Sequence, residues 1–456
     1  MSGTFKELKN CKSFKEIYEV LPDRFYEIGS AVMIVLMLLM IVVETITRYL
    51  TRHQSHESMV NYFNYIGYVI ICYATVIVLI KMRGVGRDGI RDYFLQNKQD
   101  ILLIIFLIYA LVATLLSDYR ETAIWGDWFR NSGFRTYLIY ASVYICGKNI
   151  KYNNKNKISK LKKNIYAAFM ITCTVQNALF ITKYMGYFGS LTGAFYNTNH
   201  SAYFMVIAIL ATVGFIAIEQ NIVLKCIGTV LYIVNVSCLI LNNSFGGYLA
   251  VIAAFVFGLI ISIIAVKRIK PELITCIVLF VFISIIIDYK TNIVSLNFGV
   301  TANDVVKISN GAEDMGSAGT GRMELWIDTV TYIKKHPIIG SGPDSLTNVM
   351  IDDNRNVLSG AGFEDVGERL QEPHNEYLQY AAEVGTPAAL VYIAALILIL
   401  IKRVKDIRDT EKSVIYDGMA VLGYCVSSLF GVVVFHTAVF YFIFLGMVSA
   451  SRNCTK

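Results

Sequence analysis

The chain is a procession of long apolar runs, and these leave few folds open to it. Twelve lie near 29–47, 59–80, 101–116, 134–147, 164–184, 201–218, 222–241, 246–266, 272–288, 387–401, 417–433 and 436–450. Most approach the roughly 20 residues that a helix needs to cross a hydrocarbon core of about 30 Å. The fourth is short and the last two nearly abut. Backbone groups in lipid must be satisfied within the segment, so runs of this length read as helices. The expected fold is an all-α polytopic membrane protein with about twelve transmembrane helices. Composition agrees: 55% of the 456 residues are apolar and 16% are charged, against about 25% charged in soluble chains. Residues 1–28 are of mixed charge and no small-residue cleavage site follows the first run, so that run reads as a retained anchor.

Cytoplasmic loops carry the excess of Lys and Arg. With the N-terminus inside, the inner segments hold 28 such residues and the short outer segments six. The expected location is therefore the cytoplasmic membrane, with both termini cytoplasmic. The net charge of +7 is mostly this topology signal. No basic stretch carries interleaved stacking aromatics, so nucleic acid is not an expected partner. Seven of the nine cysteines fall within apolar runs, which excludes a disulfide-stapled outer domain and gives no zinc-ligand spacing.

One segment breaks the pattern. The 97 residues from Thr291 to Pro387 are mostly polar and hold four of the six prolines. The chain thus divides into helices 1–9 at 1–290, a large extracytoplasmic loop at 291–386, and helices 10–12 at 387–456. Within the loop, Met323 to Lys335 carries apolar residues at helical spacing, and His336-Pro337 stops it. Pro373 fits the first position of a second short helix. On that reading Arg322 opens one helix and His374 lies in the first turn of another. Helix N-termini offer unpaired N–H groups that suit phosphate oxygens, and an arginine adds bidentate hydrogen bonds. A neutral histidine there can act as a general base. The bland alternatives are a solvated loop histidine for His374, a helix cap for Arg322, an interfacial cap for Asn199-His200, and a snorkelling side chain for Glu44 near the outer end of its span.

These segments, taken together and in order, resemble the O-antigen ligase and polymerase family. The matching pieces are Arg130-Asn131-Ser132-Gly133, then Gly193-Ala194-Phe195-Tyr196-Asn197-Thr198-Asn199-His200-Ser201-Ala202, then Gly321-Arg322 through Trp326. After them come His336-Pro337-Ile338-Ile339-Gly340-Ser341-Gly342 and His374-Asn375-Glu376-Tyr377-Leu378-Gln379, followed by Glu383-Val384-Gly385. The resemblance implies a GT-C-type glycosyltransferase without metal or other cofactor. Such an enzyme moves glycan from an undecaprenyl-diphosphate carrier to a sugar hydroxyl, and a flippase and a chain-length regulator of the same pathway are implied partners. It also implies a catalytic base at His374, diphosphate-binding arginines at Arg322 and Arg130, and further substrate contacts at Asn199, His200 and Asn375. Where many members have Ser-Arg-Gly, this chain has Ser244-Phe245-Gly246. Arg135 is the candidate substitute for that arginine.

The leading expectation is a surface-polysaccharide polymerase that inverts the anomeric carbon. A ligase passing finished glycan to a different acceptor shares the same motifs. A lipid or solute transporter is the alternative of another class, but such proteins carry broken helices and ionisable residues at mid-membrane, and here no proline lies centrally in a span. A scaffold accounts for the helices and not for the motif order. A nucleotide-sugar transferase lacks its Asp-x-Asp motif.

Overall fold

The computed structural model describes residues 7–51, 56–151, 160–186, 192–195, 197–310, 319, 322–350, 372–406 and 413–450. Outside them lie His53, Tyr196, Gly321 of the Gly-Arg opening, residues 351–371 of the insert, and both chain ends. Among the described residues there are helices and no strand.

The helices are α1 (Phe14–Val20), α2 (Asp23–Leu38), α3 (Met40–Thr51), α4 (His56–Gln96), α5 (Lys98–Leu116), α6 (Arg120–Trp125), α7 (Phe134–Lys148), α8 (Lys160–Tyr184) and α9 (Thr198–Ile218). They continue as α10 (Ile222–Leu241), α11 (Phe245–Ile261), α12 (Pro271–Thr291), α13 (Ile293–Asn310), α14 (Arg322–Lys335), α15 (Glu376–Glu383), α16 (Thr386–Asp406), α17 (Val414–Ser427) and α18 (Phe435–Ser449). Eight of these are long and apolar enough to cross a membrane, and α2 with α3, bent by 41°, makes a ninth. The chain is a polytopic all-α membrane protein. The three other expected spans coincide with α7, α17 and α18, each shorter than the roughly 17 residues a span needs.

Burial explains which helices sit in the middle. A helix that is apolar all round belongs inside, and α9 is buried from His200 to its end at Ile218. Every residue of α18 is likewise buried. Glycines let α18 approach α7 closely: a Cβ on Gly446 would stand 2.3 Å from the Tyr144 carbonyl oxygen, and one on Gly147 would stand 2.6 Å from that of Ile443. Small residues at such crossings are how membrane helices gain van der Waals contact without a hydrophobic drive. Glu44 does not snorkel; it is 1% exposed and paired with Arg48 at 3.2 Å.

The polar insert contains more helix than its sequence pattern gives. Asn292 turns the chain with a left-handed φ of 56°, and the Asp288 carboxylate then accepts the Val294 and Ser295 N–H groups at 2.8 and 3.0 Å. That acidic side chain starts α13. α14 begins at Arg322, as expected. The second short helix starts later than expected, at Glu376 rather than Pro373. Asn375 is its N-cap, accepting from Tyr377 and Leu378 N–H at 3.1 Å each, so His374 stands before the helix with a left-handed φ of 48°.

Candidate active site

The site assembles from four stretches that are far apart in sequence: the loop between α6 and α7, the His-Pro-Ile-Ile-Gly-Ser-Gly turn, the segment entering α15, and the ends of α9 and α18. Backbone contacts weld the turn to α15. Ser341 and Gly342 N–H groups donate to the Ala382 and Glu383 carbonyls at 3.0 and 2.8 Å, and Thr386 N–H donates to Pro337 O at 3.2 Å. No side chain fits there: a Cβ on Gly340 would lie 2.0 Å from Ala382 O, and one on Gly385, whose φ is +125°, would lie 2.1 Å from Ile338 O. The family motif's glycines are thus contact points between two chain segments.

Asp344, directly after the turn, gathers the α6–α7 loop. Its carboxylate accepts Asp127 N–H at 2.6 Å, Ser132 N–H at 2.9 Å and Arg130 Nε at 2.8 Å. Arg130 Nη2 also reaches Glu372 Oε1 at 3.3 Å. Burial works against charge on Arg130, yet the Glu372 and Asp344 carboxylates outweigh it and hold the guanidinium firmly protonated. Glu383 completes the group, its carboxylate lying within 4.8 Å of those of Asp344 and Glu372, a spacing able to hold a cation. Burial, then the Glu372 and Asp344 charges, push the Glu383 carboxyl well above its ordinary range.

His374 Nδ1 lies 2.8 Å from the Glu372 carbonyl oxygen. A carbonyl only accepts, so Nδ1 carries the proton and Nε2 keeps its lone pair in the neutral ring. Burial lowers the His374 pKa below 6.5, the Glu372 carbonyl opposes this, and the Arg322 and Arg130 charges lower it further. Trp326, one turn into α14, donates its indole N–H to Pro373 O at 2.7 Å. That bond pins the start of α14 beside His374. Arg322 is half-buried there, and its guanidinium has no hydrogen-bond or ion-pair partner among the described residues.

The other expected site residues divide. His200, 4% exposed, lies within electrostatic reach of His374 and Arg130, and its Nδ1 is 3.2 Å from His436 Nε2. Asn199 accepts from Ser244 Oγ at 3.4 Å, while Asn375 spends its side chain on the α15 cap. Arg135 is engaged elsewhere, with Asn131, with Trp125 O at 2.7 Å and with Tyr68 at 3.3 Å. Phe245, at the position of the missing arginine, packs against Phe298 at 4.9 Å. Sequence reasoning assigned no role to Asp344, Glu372 or His436. A signal was present for the first two, since an arginine in a short loop between apolar helices calls for a carboxylate and these flank the turn and His374.

Residues 229–393 match the family model described as O-Antigen ligase, which assigns this segment, with Arg322 and His374, to the O-antigen ligase and polymerase family. Arg130 and His200 lie before the matched segment and reach it through the fold. No curated protein matches the chain.

Proposed function

We propose, with the O-antigen ligase domain at residues 229–393 as premise, that this membrane protein transfers glycan from a polyprenyl-diphosphate carrier to a sugar hydroxyl at the outer membrane face. The observation that carries the reading is the Trp326–Pro373 hydrogen bond. It brings the start of α14, which carries the Arg322 guanidinium, against the segment that carries the neutral His374 imidazole. His374 Nε2 accepts the proton of the acceptor hydroxyl. The oxygen then forms its bond to the anomeric carbon as the bond from that carbon to the diphosphate oxygen breaks, and the configuration inverts. Arg322 binds the charge that builds on the departing diphosphate, a term of large effect in a water-poor site. Arg130 acts at one remove, since its two carboxylates hold the α6–α7 loop against the turn and fix the carbonyl that orients His374.

Outward placement of the insert rests on the Lys and Arg distribution. We read the acceptor as the next lipid-linked repeat unit, which makes the protein a surface-polysaccharide polymerase of the undecaprenyl-diphosphate pathway. The purified protein in detergent, given lipid-diphosphate-linked glycan, no nucleotide sugar and excess chelator, is expected to release free lipid diphosphate and lengthen the glycan. Absence of turnover, with lipid movement between leaflets in vesicles, would make it a transporter instead.

A further inference from the structure

The contact between His200 and His436 contains proton information that the catalytic reading leaves unused. Two ring nitrogens 3.2 Å apart must share one proton, since a hydrogen bond needs one donor and one acceptor. In a neutral pair there are two ways to place it. If His200 Nδ1 donates, His436 carries its own proton on Nδ1. That atom is buried with no hydrogen-bond partner among the described residues, and a buried orphaned N–H is costly and rare. If His436 Nε2 donates, its Nδ1 is a bare lone pair, and His200 must carry its proton on Nε2, which points away from His436. The second arrangement leaves no buried donor without a partner.

The surroundings hold His436 in place to do this. It follows the extended segment between α17 and α18, where Val433 N–H donates to Gln379 of α15 at 3.1 Å and Val433 O accepts from Ser132 Oγ of the Arg130 loop at 3.0 Å. Phe195, Phe435 and His56 rings enclose it at 5.2, 4.8 and 6.0 Å. His200, on the other side, is in reach of His374 and Arg130.

We propose that His436 is a positioning residue which sets the tautomer of His200, so that His200 Nε2–H is presented to the reaction site as a neutral donor to an oxygen of the lipid-linked glycan. This rests on the glycosyl-transfer reading above. It supplies an uncharged donor in a site where Arg130 is committed to carboxylates and Phe245 stands where a cation is expected.

The test pairs a donor-retaining variant with one that removes it. A glutamine can still donate to His200 Nδ1, so His436→Gln is expected to stay within about threefold of wild-type turnover. His436→Leu should lose about tenfold, near the upper end for one neutral hydrogen bond, and His200→Ala added to it should cost nothing more. Equal loss in Gln and Leu variants, or none in Leu, overturns the proposal. Nitrogen NMR of the ¹⁵N-histidine-labelled wild-type protein reads the tautomer without turnover or mutation of His436, with His200→Ala assigning the signal. A proton on His200 Nε2 is expected, and one on Nδ1 overturns the assignment. A His374→Ala variant with full activity, alongside an Nε2-protonated His200, would refute the catalytic reading and leave the histidine pair intact.

Discussion

At the scale of single residues, charge state is the currency. His374 is held neutral by burial and by the Arg322 and Arg130 charges, and a base works only when unprotonated. The turnover number should therefore rise with pH through an apparent pKa below 6.5 and stay level above it; a midpoint at or above 6.5 would contradict the geometry. Arg322→Ala should lower turnover by about 10² to 10³, the range for losing one preorganised charge-stabilising donor, and Arg322→Lys should recover only part because a lysine lacks the bidentate fork. Both residues stand out in the sequence, since the Gly-Arg and His-Asn motifs carry them. The lone pair on Nε2 was not legible there, because it depends on the contact of Nδ1 with the Glu372 carbonyl, which forms where His374 takes a left-handed backbone. Nor was the pairing of Arg130 with carboxylates 214 and 242 positions further along the chain.

At the scale of elements, the site depends on helices being held by few contacts. Trp326→Phe keeps the ring and removes the bond to Pro373. Stability should fall by only about 1 kcal/mol, while turnover falls further, because a shift of about 1 Å between reacting groups can cost 10²-fold. Equal small losses in both would mean that α14 is placed by something else. Arg130→Ala leaves Asp344 and Glu372 buried without their cation, which should cost about 3–5 kcal/mol, measured by thermal melting in detergent. Start sites were the weakest part of the sequence reading here. Pro373 is a good first helical residue in general, but Asn375 caps two N–H groups and so sets the start of α15. α13 was missed because the acid that caps it, Asp288, lies in the preceding apolar run.

At the scale of the whole molecule, apolar runs made the membrane fold plain before any coordinates. Hydrophobicity cannot rank the runs by depth, and the structure does so: α9 and α18 fill the centre and carry His200 and His436 to the site. Orientation is testable apart from chemistry. In a cysteine-free background, Ser309→Cys in α13 should react with an impermeant maleimide in intact cells, while Lys9→Cys should react only after lysis; the reverse pattern would put the site on the wrong side for a lipid-diphosphate donor. The most direct test of the central claim is the size profile of diphosphate-lipid-linked glycans from cells lacking the protein, complemented with wild type or with His374→Ala. Single repeat units that wild type extends and His374→Ala leaves unextended are the predicted result. A wild-type ladder from His374→Ala would contradict the assigned base and with it the account of how this site works.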